Sequence, residues 1–293
     1  MRRCFTIIAG FLLVAAGTWR GQAHQDLQGL ITRLTEQLST NQNNLDVLLQ
    51  RADLYRLHGS WKEARTDYLA AAKVAPRSVA VLIGQAQLHA DTGENPEARR
   101  AFDAALAQEP TNWVALFGRA RVLARLGERK AAIADYSRGV ALTPSPQPDQ
   151  FLERAGLQAA ELGPAAAIEG LDEGMARLGW LVTLQRTAID LELKRQRHDQ
   201  ALARLETIIA RSNRKESWLA MKGEILLAAG KAQEARAVFA EAMKAIEGLP
   251  PRLRTSPGMT DLRAKVERLM AGSSSGGATE KQETGPQPAP PAS

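Results

Sequence analysis

The side chains best able to make or break covalent bonds are sparse in this 293-residue chain and poorly spaced for catalysis. His24, His58, His89 and His198 are its only histidines. None stands in an H-E-x-x-H helix or has a second ligand four residues on, the spacing that sets two imidazoles on one helix face around a metal. There is no G-x-x-x-x-G-K-[ST] loop to cradle phosphates and no G-x-S-x-G elbow to expose a serine. The single cysteine, Cys4, lies in an N-terminal apolar run and offers no disulfide. These residue types imply no enzyme, no cofactor and no metal. The spacing that does suggest chemistry is non-covalent: Trp113, Phe117, Arg121 and Arg125 follow one another at four-residue intervals. A ring beside guanidiniums can anchor a partner's carboxylate or aromatic side chain, a combination enriched at binding hot spots. The same arginines could instead be a solvated helix face paired with Asp91 or Asp53.

The elements that position these residues are set by an internal repeat. Ala52, Ala86 and Ala120 are 34 residues apart, and the step recurs in Gly59, Gly93 and Gly127 and in Ala64, Ala98 and Ala132. Tyr68, Phe102 and Tyr136 keep it too, and Pro76, Pro110 and Pro144 close each copy. Small alanines let two helices approach to within about 8–10 Å, and the aromatics fill the space between one helix pair and the next. Glycine ends the first helix of a pair in the left-handed conformation, and proline ends the second by removing a backbone donor. On these columns the chain resembles the tetratricopeptide repeat family. The resemblance implies an all-α, right-handed α-solenoid of about six helix-turn-helix repeats, with capping helices at both ends.

Three further repeats are spelled more loosely. The fourth runs from about Pro148 to Gly179 with Ala155, Ala167 and Leu171 in the core. The fifth runs from about Leu181 to Lys215, with Ala188, Ala201 and Leu205, and with Arg195 where the helix-ending glycine stood. The sixth carries Leu219, Gly223, Gly230, Ala235, Phe239 and Ala242 at the earlier spacings. An amphipathic segment with Leu27, Leu30, Ile31, Leu34 and Leu38 on one face is expected to cap one end within residues 24–44. A segment from Thr260 to Met270 is expected to cap the other, closing a solenoid over residues 45–271. From Gly272 to Ser293 the composition predicts a disordered tail.

In this family the first helix of each pair lines a concave groove that holds a peptide or a partner helix. The resemblance therefore implies a lining of Leu49, Asp53 and Arg56, then Ile83, Gln87 and Asp91, then Phe117, Arg121 and Arg125, and Glu224 with Leu227 in the sixth repeat. Trp113 neighbours the third set. Co-chaperones of the family grip a C-terminal carboxylate with a Lys/Asn clamp, from which Leu49, Asp53 and Gln87 depart. Trp61, Trp113, Trp180 and Trp218 read first as packing at helix ends.

Residues 1–23 read as a secretory signal: Arg2 and Arg3, an apolar run from Cys4 to Gly17, and Gly21-Gln22-Ala23 before a cut that leaves His24 first. An uncleaved anchor is the alternative. Removing Arg2, Arg3 and Arg20 lowers the formal charge from +6 to +3, too small a balance to argue for a nucleic-acid partner. The expected function is a periplasmic or secreted adaptor that binds a protein or peptide in its groove, with no membrane span once the signal is gone. A self-assembling structural solenoid, and a small-molecule or lipid carrier, stand as alternatives.

Overall fold

The computed structural model describes residues 27–275, which form fifteen α-helices and no strand among the described residues. They fall into two compact units divided between Pro146 and Gln147. The expected signal and most of the expected tail lie outside the described residues.

In the first unit, α1 spans residues 27–40 and three helix pairs follow: α2 (Leu45–Leu57) with α3 (Trp61–Val74), α4 (Val79–Asp91) with α5 (Asn95–Gln108), and α6 (Trp113–Arg125) with α7 (Arg129–Leu142). Local sequence sets the breaks. The side chains of Asn44 and Asn112 cap α2 and α6 by accepting the backbone N–H of Val47 and Ala115 at 3.3 and 3.1 Å. Gly59, Gly93 and Gly127 each hold φ at +80°, so the turn inside each pair follows one left-handed plan.

Packing follows the alanine columns. Ala52, Ala86, Ala120, Ala64, Ala98 and Ala132 are all 0% exposed. Tyr68 and Phe102 then reach from one pair to the next, where the following helix carries glycine. A Cβ at Gly84 would stand 2.4 Å from the Tyr68 ring, and one at Gly118 would stand 2.3 Å from that of Phe102. Polar links reinforce the pairs. Arg51 donates twice to the buried Asp67 at 2.7 Å, and Arg119 does the same to Asp135 at 2.6 and 2.8 Å. Between pairs, Arg65 donates to Glu94 at 2.8 Å and Arg99 to Glu128 at 2.6 Å. Ile31, Leu34 and Leu38 of α1 are buried, Leu34 and Leu38 against Val47 and Leu48, whereas Leu30 is 42% exposed.

The second unit holds α8 (Pro148–Glu161) with α9 (Pro164–Leu178), α10 (Val182–Lys194) with α11 (His198–Arg211), and α12 (Glu216–Ala228) with α13 (Ala232–Glu247). A short α14 (Pro251–Arg254) leads into α15 (Pro257–Ser275). The fifth repeat departs from its expected register by one residue: Arg195 has φ −89°, and Gln196 takes the left-handed position at +59°. The two helices α10 and α11 keep the spacing of the other pairs only if the reversal falls one residue later. α15 packs on α13 and α12 and buries Val266 with Phe239, Ala242 and Leu226 in one core cluster. It begins three residues earlier and ends later than the Thr260–Met270 segment, since helix continues through Gly272 to Ser275.

Candidate functional site

The ten residues singled out as partner-binding all lie in the first unit, and the structure sorts them into separate places. Leu49 and Asp53 on α2 and Ile83 and Gln87 on α4 line one cavity of about 410 Å³. Tyr68 reaches it from α3, and Glu109 and Asn112 close it ahead of α6. At i, i+4 spacing, Leu49 and Asp53 share a stripe of α2, and Ile83 and Gln87 share the matching stripe of α4. Asp53 also lines a second cavity of about 510 Å³, formed with Leu30 and Leu34 of α1 and Leu54 of α2. Two hollows therefore flank one carboxylate.

That carboxylate is held from below. The Tyr68 hydroxyl donates to Asp53 Oδ1 at 2.5 Å. Burial first, and then this bond, pushes the Tyr68 phenol above its ordinary pKa, so it stays a donor. Arg56 Nε lies 3.8 Å from the same oxygen, but its Nη1 is committed to Asp91 Oδ2 at 2.6 Å. Burial works against the Arg56 charge, yet the bonds to Asp91 and Tyr68 outweigh it and its pKa is raised.

Arg56, Asp91 and Arg125 belong to a third cavity, of about 610 Å³, at the turns between paired helices, with Leu57 and Trp61 on its rim. Arg125 Nη1 donates there to the Ala90 carbonyl at 2.8 Å. Arg121 is exposed on α6. Trp113, 37% exposed, meets Phe117 edge-on with ring centroids 6.2 Å apart.

Phe117 corrects the expected site. It is 3% exposed, lies 6.1 Å from the Tyr136 ring, and sits where a Cβ on Gly139 would come within 2.6 Å of it. The preceding copies have Ala71 and Ala105 where α7 has Gly139. The missing methyl lets the ring sink into the core, while the equivalent Leu49 and Ile83 stay half-buried at the cavity. Phe117 and Arg125 do not share a site either, because Phe117 is in the core while Arg125 lines the third cavity and donates to the Ala90 carbonyl. In the sixth repeat, Glu224 pairs with Lys265 of α15 at 2.6 Å, and Leu227 packs on that unit's core, so the capping helix meets that part of the expected lining.

Sequence reasoning placed Tyr68 in the core and did not identify Gly84, Glu109 or Asn112 as cavity residues. The pair Gly84 and Gly118, 34 residues apart, was the available signal. His89 bonds through Nδ1 to Glu94, which also accepts from Arg65. The Glu94 carboxyl is lowered from its ordinary pKa by His89 and then by Arg65. No group of three or more potential metal ligands occurs among the described residues, and none of the described helices is long and apolar enough to cross a membrane.

A search of the curated proteins finds no match to the chain. Among solved structures, the chain is similar to the C-terminal part of a TPR repeat-containing protein from Cytophaga hutchinsonii, at 14% identity and a TM-score of 0.61 over 82% of this chain and 95% of that one. It is similar to a tetratricopeptide repeat protein from Parabacteroides merdae at 17% identity and a TM-score of 0.50, covering 88% and 96%. Pseudomonas aeruginosa pilF gives 15% identity and a TM-score of 0.51, covering 75% and 97%. At these identities the likeness speaks for the fold. The family model described as Tetratricopeptide repeat matches residues 49–112, 83–145 and 186–250, more than half of the chain. With the alanine columns buried and the glycine turns superposable in φ, the chain belongs to the tetratricopeptide repeat family.

Proposed function

We propose that the chain is a non-enzymatic adaptor that holds an extended protein segment against the face formed by α2, α4 and α6. The observation that carries this reading is the pair of hollows sharing Asp53, which together offer apolar walls and a fixed acceptor along one line of first helices. A photo-crosslinking amino acid at Ala80, exposed on the cavity wall, should capture a partner protein. The same residue at Leu69, exposed on α3 and outside the cavities, should not. Equal capture at both positions would remove the groove from the proposal.

We further propose that residues 1–23 direct export and are cut after Ala23, so that the adaptor works in the periplasm or outside the cell as part of an envelope complex. Support comes from the paired arginines, the short apolar run and the small residues before His24. N-terminal sequencing of the chain from an envelope fraction should begin at His24. An intact Met1 in the cytosol would sink the export reading without touching the groove.

A further inference from the structure

Phe117, Arg121 and Arg125 were expected to anchor a partner's carboxylate or aromatic side chain; the cavity at Asp53, which none of the three lines, carries the opposite charge. The charged residues lining the 410 Å³ cavity are Asp53 and Glu109, and no Lys or Arg lines it. Asp53 is fixed through Oδ1 by the Tyr68 hydroxyl, while 49% of its side chain is exposed. Glu109 is exposed at the far wall, where Asn112 Nδ2 donates to it at 2.8 Å. Arg56 stands outside the cavity, with Nε 3.8 Å from Asp53 Oδ1 and Nη1 donating to Asp91 at 2.6 Å in the neighbouring hollow. Between the carboxylates, Leu49, Val79, Ile83 and Val114 make the walls apolar.

We infer that this cavity accepts a basic side chain, Lys or Arg, presented by an extended protein segment with an apolar residue close to it. The inference rests on the groove reading above. A long basic side chain carries an apolar stem and a charged head, and the cavity offers the complement of each. The stem covers Leu49 and Ile83 while the head reaches Asp53, with Glu109 adding negative charge from the far wall. Across Asp53, the hollow lined by Leu30, Leu34 and Leu54, together with Arg33, Gln37 and Gln50, takes the apolar neighbour on its leucines. Arginine would meet a carboxylate with its planar fork, and lysine with a point charge.

The test is to pan a phage-displayed library of random linear peptides against the full chain. An enriched peptide is then synthesised with its basic residue as Arg, as Lys or replaced by Gln, and binding is measured by fluorescence anisotropy. Two variants, checked for native circular dichroism, separate the claims. Asp53→Asn with Glu109→Gln removes charge and keeps shape. Ala80→Phe fills the cavity from an exposed position and keeps charge. Expected are peptides sharing a Lys or Arg, affinity about tenfold weaker in the charge variant and in the Gln peptide, and weakening with added salt on the unmodified protein. Peptides that lose binding with Ala80→Phe but are acidic or neutral, or that bind equally to the charge variant, would overturn the basic specificity and leave the groove standing. Absence of any peptide weakened by Ala80→Phe would overturn both.

Discussion

At Gly118 a methyl group has nowhere to go, because the Phe102 ring already occupies the position 2.3 Å from where it would stand. Gly118→Ala should therefore destabilise the chain by about 1–3 kcal/mol in urea titration, overriding the roughly 1 kcal/mol that alanine adds to helix propensity. Gly156 on α8 has nothing within 4 Å of such a methyl, so Gly156→Ala should stabilise by about 0.5–1 kcal/mol. Opposite signs for one chemical change would establish that contact, not glycine itself, decides. Arg119 offers a second case: Arg119→Met strands Asp135, whose side chain is 5% exposed, and should cost about 3 kcal/mol by the same titration. Adding Asp135→Leu should return most of it. The alanine columns could be read from the sequence because close helix contact demands small residues at a fixed interval. Phe117 could not, because its burial depends on Gly139 opposite it on another helix, and spacing along one helix carries no such information.

Helix ends carry the next layer of specification. Glu94, at the start of α5, ties α3 through Arg65 and α4 through His89. Its lowered pKa means the carboxylate adds stability above its ordinary value of 4.5 and loses that contribution as pH falls through the depressed value. Urea midpoints followed downward from about pH 5 should decline for the parent chain and decline less for Glu94→Gln. The caps behave as elements too. Val266 of α15 is 0% exposed against the core of the second unit, so ending the chain at Leu249 should uncover an apolar face, lower the thermal midpoint and raise dye binding. Both capping helices were recognisable from their apolar stripes. The true start of α15 at Pro257 was not, because Pro257 and Gly258 look like breakers when read without the core that the helix covers.

Across the whole molecule, the division at Pro146 falls in the run Thr143-Pro-Ser-Pro-Gln-Pro148, where three prolines withhold backbone donors between α7 and α8. Each unit has its own core, and in repeat arrays stability is carried by neighbours. Hydrogen exchange should locate the loss from Gly118→Ala in α4 to α7 and leave α10 to α13 at parental rates; uniform acceleration would show a single cooperative block. The repeat period announced this architecture in advance, whereas the acidic cavity required the positions of Tyr68, Gln87 and Glu109 to be brought together from three helices' worth of chain. The ring-and-glycine contact has one more consequence. Residues 79–112 carry a hollow at Gly84 on entry and a ring at Phe102 on exit, so a tandem copy of that stretch would find a matching surface at both of its new junctions. Gene duplication could thus lengthen this protein by whole increments of 34 residues, each newcomer docking through contacts its neighbours already possess.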